Sequence, residues 1–160
     1  MKDLDRAHME PSKHLIEALR IRSGSVAYLT SSMTTNKEYA LLCEFATQST
    51  NGLNSFMHVF DRTMFPAGES PVLRGFLAMR LTHLPEASNV EVYVTDGSNT
   101  LVEKGTMFKQ QIKGPNANLL VRIGGMTVPK AGEYRIWSRV DGSEPLELCT
   151  WYAEEKAKVA

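Results

Sequence analysis

Arg135, Trp137 and Arg139 have the residue types and the spacing to grip a partner. They alternate with Tyr134, Ile136, Ser138 and Val140, and in a strand such alternation puts the two sets on opposite faces. With Tyr134, Ile136 and Val140 turned inward, the other three form a cationic, aromatic stripe, and Arg and Trp are residues that dominate interface hot spots. In the bland reading Trp137 fills the core, or shields its sheet between two arginines through cation–π contact. A second candidate is Thr63-Met64-Phe65-Pro66-Ala67-Gly68. Met64 and Phe65 stand outside any strand pattern there, in a connection, where binding residues concentrate. The bland reading has the same loop tucking both side chains over the open end of the core.

The ingredients of catalysis are harder to find. A reacting site needs a nucleophile beside a base, or paired carboxylates at a fixed separation. The chain has no GxSxG elbow, no Walker loop and no GxGxxG turn. His58, His83 and Cys43 fall in separate strand-like stretches, but no HxH or HExxH spacing supports a metal among them. His58 shares its face with Phe56 and Phe60, which suits a packed or rim histidine. Glu144, Glu147, Glu154 and Glu155 gather near the C-terminus and read as a solvated edge that discourages sheet-to-sheet aggregation. No catalytic residue, no metal and no cofactor is expected.

Composition narrows the partners. Eighteen Lys and Arg balance eighteen Asp and Glu, and no basic run supplies the stripe that a phosphate backbone requires, so nucleic acid is not expected. No apolar stretch has the length of a signal peptide or a bilayer span, so a membrane is not expected either. Cys43 and Cys149 are too far apart for a CxxC site and read as reduced core residues. The expectation is a soluble protein of the cytoplasm.

Sheet must position these residues. Asn51-Gly52, Asp96-Gly97 and Asp141-Gly142 each stand between alternating runs, the strongest short-range hairpin signal. Residues 39–46, 53–60, 74–84, 89–95, 101–104, 106–112, 118–123, 133–140 and 146–152 read as strands, with a bulge at Gly105. Residues 61–72, holding Pro66, Gly68 and Pro71, read as the longest loop. Gly132-Glu133-Tyr134 looks like the approach to a corner tyrosine whose hydroxyl bonds upstream backbone. This many strands with no helix-length pattern between them predict an all-β fold. The expected form is a two-sheet antiparallel β-sandwich, immunoglobulin-like or jelly-roll-like, over residues 38–155. Residues 1–37 read as an N-terminal arm and linker with one short helix over 11–22, capped by Ser12 and stopped at Gly24, and 156–160 as a tail. The helix turns Leu15, Ile16 and Leu19 to one face and is too short to hold without a surface to pack on. Met33 looks like a natural start, so the arm is either a working element or an upstream extension.

The runs Glu38-Tyr39-Ala40-Leu41-Leu42-Cys43-Glu44-Phe45-Ala46, Asn51-Gly52-Leu53-Asn54 and Phe60-Asp61-Arg62 resemble the opening of an uncharacterised bacterial family of small all-β proteins of unknown function. Pro129-Lys130-Ala131-Gly132-Glu133-Tyr134-Arg135 and Val140-Asp141-Gly142 resemble that family's closing hairpin. The resemblance covers about residues 33–155 and leaves out the arm. It implies a sandwich fold, assigns no activity and carries over no catalytic residue.

The leading expectation is a non-enzymatic module that binds another protein or itself, through the Arg135, Trp137 and Arg139 face or an open sheet edge, with a homodimer as the simplest version. From a different class comes a small-ligand or carbohydrate-binding sandwich in which Tyr93, Trp137, Trp151 or Tyr152 forms a stacking platform. A third reading, an enzyme with a site assembled across strand ends, requires His58 or His83 in a cleft beside a carboxylate.

Overall fold

A computed structural model describes residues 34–50 and 54–157 of the chain. The described residues all belong to one compact unit, Met33–Ala160. The expected helix over 11–22 and the Asn51-Gly52 turn lie outside them. Among the described residues no helix is long and apolar enough to cross a membrane.

Nine strands run in order among the described residues: β1 (Asn36–Gln48), β2 (Asn54–Phe60), β3 (Arg62–Phe65), β4 (Val72–Thr82), β5 (Ala87–Asp96), β6 (Leu101–Lys113), β7 (Asn116–Thr127), β8 (Gly132–Val140) and β9 (Leu146–Glu155). They form two sheets, ordered β2-β1-β4-β7 and β3-β9-β8-β5-β6. Every neighbouring pair is antiparallel except β3 with β9. The sheets share one buried cluster, to which Leu77 and Met79 of β4 and Val121 of β7 contribute from one side and Val92, Ile136 and Trp151 from the other. The arrangement is all-β and sandwich-like, and the period-two reading of β5 holds: Val90, Val92 and Val94 are fully buried.

Three readings need correction. β1 starts at Asn36, so Asn36 and Lys37, read as linker, already pair with Thr82 and Leu81. Residues 61–72 are not one loop, because β3 occupies their first part and lies parallel to β9. Asp61 alone separates β2 from β3, so the chain changes sheets there, with its carbonyl accepting the Tyr152 amide at 2.7 Å. Residues 101–104 and 106–112 belong to one strand, β6, with register shifts where the bulge was expected. A Cβ at Gly105 would meet the carbonyl oxygens of Val102 and Val94 at 2.8 and 2.9 Å, so only glycine lets the strand pass.

The two described Asp-Gly turns differ. Asp141 and Gly142 both have positive φ, 47° and 74°, and the Ser143 amide bonds the Val140 carbonyl at 2.8 Å, the geometry of a two-residue type I′ turn. Between β5 and β6 the positive φ falls at Asn99, and the Asp96 carboxylate holds a longer turn by accepting from the Ser98 hydroxyl and the amides of Ser98 and Thr100. These bonds favour the charged carboxylate, the Ser98 hydroxyl most, and hold its pKa below the ordinary value.

Tyr134 takes the corner role. Its buried hydroxyl donates to the Lys130 carbonyl at 2.8 Å, and its ring lies 5.3 Å from that of Trp151. The Trp151 indole N–H donates to Thr63 Oγ1 at 3.1 Å, which ties β3 to the core. Thr63→Val would leave that buried donor unpaired, and Tyr134→Phe would remove the corner bond. Each is expected to lower stability by about 1–3 kcal/mol, read as a lower urea midpoint with an unchanged m-value.

Candidate functional site

Strand register puts Arg135 beside Thr95, Trp137 beside Tyr93 and Arg139 beside Glu91, across β8 and β5. All three stripe residues are half-buried, whereas Ile136 and Ser138 between them are buried, so the stripe faces outward as the alternation requires. Trp137 is therefore not a core residue. Its indole N–H donates to Thr95 Oγ1 at 2.9 Å, which satisfies the polar atom and fixes the ring on the sheet. Arg139 lays its guanidinium 5.3 Å from the Tyr93 ring centroid and donates from Nη2 to the Tyr93 hydroxyl at 3.3 Å. The cation–π contact thus falls on Tyr93 rather than Trp137. Arg135 is neutralised by Glu133, with Nε to Oε1 at 2.8 Å.

A depression of about 440 Å³ opens over this face. Tyr93, Trp137, Arg139, Leu101 and Pro145 line it, with Asn99 at the end nearest the β5–β6 turn. A larger opening, about 840 Å³, lies between β6 and β7, where the edges of the two sheets face each other. Of its two carboxylates, Asp96 is committed to the turn and Glu103 stands on β6, while Arg122 and Met126 stand on its β7 wall.

Met64 and Phe65 do not act as a pair. As neighbours in β3 they point to opposite sides: Phe65 joins the core and Met64 is exposed. The exposed apolar surface missed by the sequence reading lies on β1 and β2. Phe45, Met57 and Val59 are 57%, 59% and 59% exposed, and register sets Phe45 beside Met57 and the buried Cys43 beside Val59. The signal was present in residues 39–46, which are apolar on both alternating sets save for Glu44; such a strand asks for cover on two sides.

The remaining candidates separate. His58 meets a carboxylate, Nδ1 to Glu44 Oε2 at 2.8 Å, but both side chains are exposed, and of the two only Glu44 borders the depression of about 550 Å³ beside Phe45, Arg62 and Arg74. His83 stands just beyond β4 with a positive φ, near the Asn36 amide and the Thr82 hydroxyl. Among the described residues no three His, Cys, Asp or Glu side chains converge on one point. Of the four aromatic residues read as a stacking platform, Trp151 is buried in the core and Arg139 covers the Tyr93 ring, while Trp137 stays on the outer face and Tyr152 of β9 is exposed. Compared with known proteins, the chain matches no family model and no curated sequence.

Cys43 and Cys149 are free thiols. Burial raises both, Cys149 from its ordinary value of 9.0 to about 11. Both therefore stay protonated at neutral pH and are poor nucleophiles. Above pH 9 the unfolded chain releases the Cys149 proton while the folded chain keeps it, so this contribution to stability is full below 9.0 and is lost as pH rises to about 11. Urea midpoints measured across that window are expected to fall more steeply in the parent protein than in Cys149→Ala; parallel slopes would contradict the assignment.

Proposed function

We propose that the chain is a protein-binding module that pairs with a second copy of itself by strand addition at the β2 edge. The observation that carries this reading is the chemistry of β2. Natural sheets blunt their edges with charge, proline, bulges or shortness. β6 carries Lys104, Lys109 and Lys113 and two register shifts, β3 is four residues long and runs into Pro66, and β7 carries Arg122 with Gly124 and Gly125. β2, Asn-Ser-Phe-Met-His-Val-Phe, has no Asp, Glu, Lys, Arg or Pro, carries one backbone irregularity at His58, φ 53°, and pairs on one side only among the described residues. Met57 and Val59 of β2 and Phe45 of β1 add an apolar face beside that edge. Two copies related by a two-fold axis would join β2 to β2, extend the sheet and bring the apolar faces together.

The same reading takes the fold as immunoglobulin-like rather than jelly-roll. With β1, β4 and β7 as A, B and E, and β5, β8 and β9 as C, F and G, the strand orders A-B-E and C-F-G follow, with β6 outside C and a tyrosine corner at the start of F. The likeness of residues 38–46 and 129–135 to the bacterial all-β family agrees with that fold and adds no activity. Free Cys43 and Cys149 suit a reducing cytoplasm.

Light scattering on the full chain after size exclusion tests the assembly. The expected mass is that of two chains over a range of concentrations, falling to one chain with Val59→Lys, which places a charge at an exposed edge position, and staying at two with Trp137→Ala. A single-chain mass for the parent protein, or a dimer indifferent to Val59→Lys, would sink the proposal.

A further inference from the structure

We infer that the depression over Trp137 docks an acidic segment of a partner protein, seating an apolar side chain on the indole face and a neighbouring carboxylate on Arg139. The surface belongs to the β3-β9-β8-β5-β6 sheet and is separate from the β2 edge. Three observations carry the inference. The indole N–H is already satisfied by Thr95, so the ring presents only its apolar face to a ligand. Arg139 forms no ion pair among the described residues; one N–H goes to Tyr93, and the rest of the five-donor fork has no protein acceptor there. A guanidinium fixed in this way, on the rim of an apolar hollow, is complementary to a carboxylate, which it can meet with two parallel hydrogen bonds. Glu91 is the only carboxylate on the described lining, and it is paired with Lys109 across the β5–β6 seam at 4.0 Å. The neighbouring cation, Arg135, is held by Glu133, so Arg139 alone is left to receive the acidic group.

The shape suits a peptide. Lining residues run along β5 from Glu91 to Thr95 and on to Asn99, and four residues of strand span about 13 Å, the length of about four residues of extended chain. Pro145 and Leu101 flank the aromatic floor from the β8–β9 turn and from β6.

Random heptapeptides displayed on phage and selected against the full-length protein provide the test. The expected winners place Asp or Glu next to an aromatic or aliphatic residue. A synthetic winner should lose about tenfold or more in affinity to Arg139→Gln and to Trp137→Ala, recover in part with Arg139→Lys, and be unaffected by Arg122→Gln on the other sheet. Val59→Lys should leave peptide affinity unchanged and Arg139→Gln should leave the solution mass unchanged, so failure of this inference and failure of the β2 pairing are read separately. No enrichment over background, enrichment of basic sequences, or a winner indifferent to Arg139→Gln would overturn it. A fall in solution mass with Arg139→Gln would also overturn it, assigning the depression to a second copy of the chain.

Discussion

Tyr134 and Trp151 lie against each other with ring centroids 5.3 Å apart, and burying both rings carries a hydroxyl and an indole N–H into the core. A buried polar atom without a partner is costly, so each ring dictates what surrounds it. The Tyr134 hydroxyl requires the Lys130 carbonyl, which bends the β7–β8 connection back over the start of β8. The Trp151 N–H requires Thr63, which pulls β3 alongside β9. Since β2 remains paired with β1, and only Asp61 lies between β2 and β3, the chain has to change sheets within one residue. A four-residue strand, tied to β9 by Thr63 on the core side and by the Arg62–Glu154 pair on the exposed side, thus joins the two sheets at one edge and leaves β2 outermost on the other sheet.

The two outer faces that result differ in chemistry. On the β5–β8 face, Trp137, Arg139 and Arg135 have partners in Thr95, Tyr93 and Glu133. It is a polar outer face of the kind expected of an antiparallel sheet with one side in water, apart from the hollow over the indole. On the β1–β2 face, Phe45, Met57 and Val59 stand in solvent, and the nearest polar contact is the exposed His58–Glu44 pair. Singly exposed apolar residues need no explanation, but three in register on adjacent strands form a contiguous patch.

The strands that could be read in the sequence were those whose own alternation decides their faces. Val90, Val92 and Val94, and the 134–140 run that carries the stripe, have core partners whatever lies beyond them, and the Asp141-Gly142 turn is fixed by local sterics. The corner tyrosine was legible for the same reason, since its partner is four residues upstream. β3 was not, because four residues give too little period and its strand character comes from β9, distant in the chain. That is also why Met64 and Phe65 read as one apolar pair when a strand sends them to opposite sides. The stripe was placed on the correct face, but its pairings were not visible: Tyr93 and Thr95 belong to another strand, and only the β5–β8 register brings them beside Arg139 and Trp137.

Strand addition and a fixed hollow supply different parts of recognition. An edge offers main-chain donors and acceptors that any extended segment can match, so its affinity comes with little discrimination unless side chains flanking it add some. At β2 that discrimination is confined to apolar contact, which a second copy of the same surface satisfies by symmetry. The hollow over Trp137 works the other way. Few groups line it, but the bond to Thr95 and the contact with Tyr93 hold the indole and the guanidinium in place before anything binds. Side-chain order already present does not have to be created on association, so a small contact with one fixed cation can discriminate by charge where the larger, softer edge cannot.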